Sequence, residues 1–385
     1  MKRAINQELM RVTNKTQILR CIREKDKVSK REIAEELGLS ATTVSTFIRE
    51  LEKEKKIKSC GIAESTGGRR SILYDLNPDF RYILGIDLEV DRLIGVVLDF
   101  KGKIKGTKEI SFTSKDEWKV IPLLKTFIYD LFEENDLPIK KFGGLGIGVP
   151  GVVNSDTGVI EFAPNLGWKN VNIPSLLGIG KPVFIENEAN AGALGEAVFG
   201  VAKNVSHLVF ISVGMGIGCG LIINNKLYSG SLYHAGEFGH MIVNPDGLPC
   251  QCGNKGCWEV YASNNAAIRM YKEKSNRKVT FQEILAEFTK DHSFQTVEVV
   301  QSITKYLGIG IANIINGLNP EMVVVGGEIT VIKDLVYNEL LKGIKGRSLE
   351  KSFSGVRLEF SQLGNKATAL GMGSIVIEKI ISSIM

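Results

Sequence analysis

Four side chains in one short stretch are suited to holding a metal ion: His240, Cys250, Cys252 and Cys257, spaced H-x9-C-x-C-x4-C. Three thiolates and one imidazole complete the tetrahedron that Zn²⁺ prefers and leave no position open for water or substrate. The spacing therefore predicts one structural zinc per chain. Glycines at 247, 253 and 256 let the backbone wrap closely around such an ion. Cys21, Cys60 and Cys219 stand alone, and a reducing compartment disfavours joining them as disulfides. An ion would also fix the loop "GEFGH", which carries Glu237 and His240.

A second group lies in "PVFIENEANAGALGE", which reads as a strand running into a helix. Asn187 and Glu188 then fall at the C-terminal end of a strand, where α/β proteins form pockets. Carboxylates, amides and imidazoles can accept from and donate to several hydroxyls at once, which is the chemistry a sugar requires. Upstream, "YILGIDLEVDRLIGVVLDF" is a strand, a turn and a returning strand, with Leu88-Glu89-Val90-Asp91-Arg92 at the turn. A phosphate-binding turn would offer glycine amides and a hydroxyl. Glu89 and Asp91 instead put negative charge where phosphates would lie. "LVFISVGMGIGCGLIIN" echoes the same pattern, and its glycines at 214, 216, 218 and 220 read as tight-turn residues.

The elements around these groups divide the chain. From Tyr82 onward, β-rich runs such as "IGVVLDF", "HLVFISVG" and "MVVVGG" alternate with helical stretches, which predicts an α/β body of two lobes. The first 70 residues hold 17 Lys and Arg against 10 Asp and Glu, although the whole 385-residue chain is only +5. A basic head on a near-neutral body suggests contact with nucleic acid through the head. Within it, Ser29 and Glu32 form a capping box, Gly38 closes that helix, and Ser40 caps another from Ala41 to about Lys53. Two short helices joined by a tight glycine turn fit a helix-turn-helix, with Ser40, Thr42, Thr43, Ser45, Thr46 and Arg49 presented to the major groove. "KIKSCGIAESTGGRRSILYDL" alternates like a hairpin, a wing with Arg69 and Arg70 beside its Gly67-Gly68 turn. The domains are then 1–76 for the winged head, 81–186 for a first lobe completed by a C-terminal helix over 368–385, and 187–367 for a second lobe. No apolar run approaches the roughly 18 residues of a membrane span, and the first residues lack the apolar core of a secretion signal. A cytoplasmic protein without membrane contact is expected.

In order along the chain, the helix-turn-helix, "GIGVPGVV", "ENEANAGALGE", "GEFGHMIVNPDGLPCQCGNKGCWEVYAS" and "VVVGGEI" resemble the ROK family of repressors and sugar kinases. The resemblance implies a two-lobed, actin-like, sugar-kinase-like body and zinc in the motif above. It also implies a monosaccharide site of Asn187, Glu188, Glu237, His240 and Glu259. Glu188 departs from the kinases of the family, which place an aspartate there as the base. They also carry a first turn of the form Asp-x-Gly-Gly-Thr-Lys; here only Asp87 remains, and Met215 replaces a threonine in the second turn. ATP binding and phosphoryl transfer are therefore expected to be lost. "FIENEANAGALGE", "LIINNKLYSG", "CGNKGCWEVYAS" and "ALGMGSIVI" are similar to the xylose-responsive branch of the family in Gram-positive bacteria. That likeness implies a dimer, possible as a tetramer, on a palindromic operator, with D-xylose as inducer. Two other readings stand beside it. One is a kinase of the glucose, N-acetylglucosamine or N-acetylmannosamine type with an appended DNA-binding head; the other is a repressor controlled by a protein partner.

Overall fold

A computed structural model describes residues 2–63 and 71–382 of the chain. The predicted caps organise the head. Ser29 Oγ accepts from the Glu32 amide at 3.3 Å while Glu32 Oε2 accepts from the Ser29 amide at 2.8 Å. The helix that follows, Lys30–Leu37, ends on Gly38 at φ 64°, and Ser40 caps the helix Ala41–Lys53. Val44, Phe47, Ile48 and Leu51 of the third helix are buried against Ile18, Leu19 and Ile22 of the long first helix, Lys2–Lys25. The strand Ile72–Leu76 lies between Val28–Ser29 and Ile57–Ile62 in an antiparallel three-stranded sheet, the wing. The predicted turn at Gly67-Gly68, with Arg69 and Arg70, lies outside the described residues.

The body contains two five-stranded sheets built on one plan. In the first, Tyr82–Leu88, Arg92–Leu98 and Ile104–Ser111 form an antiparallel meander, and Phe142–Val149 and Val183–Asn187 continue the sheet in parallel on the other side. In the second, Leu208–Val213, Ile217–Ile223 and Lys226–Leu227 make the meander, with Met322–Gly327 and Arg357–Phe360 parallel beyond. The echo between the two hairpins in the sequence is therefore a repeated lobe. Inner strands such as Val323–Val325 are fully buried, which is why they read as unbroken apolar runs.

Each lobe lends a helix to the other. The helix Glu188–Val198 follows the last strand of the first sheet and packs on the second, while Ala367–Ser382 follows the last strand of the second and packs on the first. Where they cross, their backbones nearly touch. A Cβ on Gly195 would stand 2.1 Å from Ala367 O, and one on Gly371 would stand 1.8 Å from Ala191 O. Only glycine allows that approach, so these two residues fix how closely the lobes are joined. No described helix is long and apolar enough to cross a membrane.

Candidate functional site

Asn187 ends its strand and opens the crossing helix. Its Oδ1 accepts from the amides of Ala189 at 2.9 Å and Asn190 at 3.2 Å, and its Nδ2 donates to Gly151 O at 2.9 Å. Beneath it Glu186, a buried carboxylate, accepts from the Asn187 amide, from Asn190 Nδ2 and from Ser155 Oγ at 2.8 to 3.0 Å. The strand end is thus rigid, with Asn187 largely engaged in holding its own loop. Glu186 escaped the sequence reading, although a charged residue in an otherwise apolar strand end was its signal.

The cleft between the lobes has a volume of about 1330 Å³. Asp87 and Glu89 face it from the first lobe, Met215, Gly216 and Glu328 from the second, and Glu188 from the start of the crossing helix. Of the five residues assigned to a sugar, only Glu188 forms part of this wall. Burial, then the charges of Glu89 and Glu237, push the Glu188 carboxyl up to about 7. Asp87, 6% exposed, is also pushed well up by burial and by Glu89 and Glu188, and its Oδ1 has no hydrogen-bond partner. Glu89 rises through burial, against the opposing pull of Arg92.

Arg92 changes the reading of the turn. Its Nη2 lies 2.7 Å from Glu89 Oε2 and 3.3 Å from Glu328 Oε1, with Asp91 and Glu109 each at 3.8 Å. The turn therefore carries its own cation within the cleft. Asp91 is 74% exposed, so the half-buried Glu89 is the more enclosed carboxylate there. Glu328 is held in turn by Asn264 Nδ2 at 3.1 Å and by Gln282 Nε2. The glycines of the second turn also differ from expectation, because none of the four has a positive φ. A Cβ on Gly220 would meet Ala189 O at 2.2 Å, and one on Gly216 would meet Glu259 Oε2 at 2.7 Å. They make room for the crossing helix and for Glu259.

His240, Cys250, Cys252 and Cys257 do converge, with their ligand atoms all within 4.8 Å of one another. Cys252 and Cys257 sulfurs are 3.6 Å apart, and His240 Nδ1 is 3.7 Å from Cys250 Sγ. A tetrahedron with metal–sulfur bonds of ~2.3 Å has edges of roughly 3.8 Å, so the donor set fits Zn²⁺. Gly253 at φ 95° and Gly256 at φ 75° turn the chain around the cluster. Burial raises the thiols of Cys250 and Cys257; at Cys252 burial acts the same way, but the hydrogen bonds from the Asn254 amide and from Cys250 and Cys257 together outweigh it and lower the thiol. His240 faces two ways. Its Nδ1 belongs to the cluster, and its Nε2 lies 3.7 Å from Glu237 Oε2. Glu259 Oε1 accepts from the Cys250 thiol at 3.1 Å and lies 3.5 Å from His240 Nδ1. Glu237, His240 and Glu259 are thereby tied to the His–Cys cluster, and the charge of Glu237 helps raise the Glu188 carboxyl.

On the head, Ser40 Oγ accepts from the Thr43 amide at 3.1 Å and lies 2.8 Å from Thr43 Oγ1, while Thr46 Oγ1 donates to Thr42 O at 3.0 Å. Thr42 and Arg49 are exposed on the same helix and Ser45 is half-buried. Lys15 and Arg11 of the first helix pair with Glu50 and Glu54, so part of the basic charge neutralises the recognition helix itself.

Fold and geometry together define a kinase-like α/β body that carries a winged-helix head. The chain belongs to the ROK family, whose model matches residues 83–379; a winged helix-turn-helix DNA-binding family matches residues 13–58. It is 35% identical over 383 residues to the xylose repressor of Bacillus subtilis (strain 168), covering 98% of each chain. A solved ROK family transcriptional regulator, a homologue of the Escherichia coli MLC protein, superposes with a TM-score of 0.83 at 26% identity over 97% of both chains. The ROK glucokinase of Streptomyces griseus, solved with glucose and AMPPNP, superposes with a TM-score of 0.66 at 28% identity, over 76% of this chain and 98% of that one.

Proposed function

We propose that this protein is a sugar-responsive transcriptional repressor, with D-xylose as its inducer and without phosphoryl transfer. The observation that carries the reading is the Glu89–Arg92–Glu328 group at the phosphate end of the cleft. An anionic, internally paired turn offers ATP neither the amide cradle nor the free cation that phosphoryl transfer requires. The full-length likeness to a repressor supports the same view, since the glucokinase matches only the body.

In this reading the head binds a palindromic operator as part of a homodimer. Thr42, Ser45 and Arg49 meet bases or phosphates while Ser40, Thr43 and Thr46 hold the recognition helix. Asn187, Glu188, Glu237, His240 and Glu259 take the hydroxyls of an uncharged monosaccharide, and none of them is a Lys or Arg that would pair a sugar phosphate. Zinc, bound by His240, Cys250, Cys252 and Cys257, supplies no chemistry here beyond holding the loop that carries Glu237 and His240. A sugar releases DNA only as far as it prefers one arrangement of the lobes; a swing from 1:99 to 99:1 takes about 5.5 kcal/mol of preference.

The test is operator release followed against sugar concentration without ATP. Release by D-xylose is expected, with no consumption of ATP when it is added. Release only by glucose or a sugar phosphate would replace the inducer, and steady ATP-dependent phosphorylation would replace the repressor by a kinase.

A further inference from the structure

The two lobes meet through a charge pair that lies outside the residues assigned to sugar and to DNA. Arg92 opens the second strand of the first sheet, and Glu328 follows the strand Met322–Gly327 of the second. The pair is half-buried, with side-chain exposures of 23% and 24%. Both partners are pre-set. Glu89 fixes the guanidinium from the first lobe through Nε at 2.9 Å and Nη2 at 2.7 Å. Asn264 and Gln282, on two different helices of the second lobe, each donate to one oxygen of Glu328. Beside the pair, Asn365 Nδ2 donates to Glu109 Oε2 at 2.8 Å, a second contact between the same two lobes.

We propose that Arg92 is a positioning residue of the sugar response, clasping the lobes across the phosphate end of the cleft and favouring the closed arrangement that holds inducer. The inference rests on the repressor reading above. A planar guanidinium can hold Glu89 and Glu328 together, which a lysine ammonium does less well. Opening the cleft would part the guanidinium from Glu328 and leave that half-buried carboxylate without its cation, so the open form is disfavoured. A clasp of this kind acts on the equilibrium between arrangements and not on the sugar itself. It also gives the acidic turn a purpose: its carboxylates orient a bridging cation.

The experiment uses the full chain with Arg92→Gln, Glu328→Gln and the double variant. Each single change is expected to raise the D-xylose dissociation constant and the half-point of operator release about three- to tenfold. The double variant should be no worse than the singles, because either one already opens the clasp. Energy transfer between labels placed at the exposed Trp118 and Val331, one on each lobe, should show a wider mouth in the variants with no sugar present. Additive effects, or an unchanged label distance, would overturn the clasp. If the unmodified protein ignores xylose yet the variants widen the mouth, the sugar assignment fails and the clasp stands. Should Arg92→Gln not fold, Glu328→Gln carries the same measurements.

Discussion

Glu188 sits among charges of its own sign, and this has a measurable consequence. Burial and the nearby Glu89 and Glu237 raise its carboxyl to about 7, against 4.5 for an ordinary glutamate. The folded protein then holds this proton more tightly than the unfolded chain does. The resulting stability is fully present below about 4.5 and is lost as pH rises toward about 7, so melting temperature should fall across that window. Glu188→Gln should flatten part of the fall, by on the order of 2 kcal/mol, while Asp87 and Glu89, raised in the same direction, keep the remainder. Melting curves at several pH values check this; an unchanged slope would show that Glu188 is ionised throughout. At this scale the His240, Cys250, Cys252 and Cys257 cluster was legible because convergence within 18 residues is a property of local spacing. Arg92 and Glu328 were not, since 236 residues separate them and either alone looks like a surface charge.

Among the elements, the helix ends of the head could be read directly, because a cap is a contact between residues three apart. The crossing of Glu188–Val198 with Ala367–Ser382 could not, because nothing near Gly195 or Gly371 in the sequence names a partner. Gly371→Ala is expected to destabilise the protein by ~2–3 kcal/mol in denaturant titration, since the added carbon would stand 1.8 Å from a backbone oxygen that cannot move aside. The loop that carries the His–Cys cluster makes a different prediction. Protein purified without chelator should contain one zinc per chain, and Cys252→Ser should lose both the ion and sugar affinity, because Glu237 and His240 hang from that loop. Operator binding by the head should persist in this variant, as measured by a mobility shift. Sugar affinity that survives loss of the zinc would separate the pocket from the metal.

For the whole molecule, the decisive feature is how the head is fastened to the body. Ile18, Leu19 and Ile22 of the first helix share one apolar cluster with Val376, Ile377 and Ile381 of the C-terminal helix. Around it Arg20 and Arg23 both pair with Glu378, and Lys101 of the first lobe binds Asp26 and Asp75 of the head. The C-terminal helix crosses the helix that begins at Glu188, so a continuous path of packed elements joins the pocket to the recognition helix. Contact along a path is not itself coupling; the coupling must appear as a free energy shared by the two ligands. If sugar weakens operator binding by some factor, operator must weaken sugar binding by the same factor. Titrating sugar against protein with and without saturating operator, and operator with and without saturating sugar, should therefore give equal ratios. Glu378→Ala should shrink both ratios together. Its effect on stability should stay below ~1 kcal/mol, because its pairs with Arg20 and Arg23 are partly exposed. A variant that keeps both ratios at full size would show that the switch runs through the apolar cluster or Lys101 instead. A ratio of one in the unmodified protein would mean that sugar and DNA bind independently, which no repressor released by sugar can do.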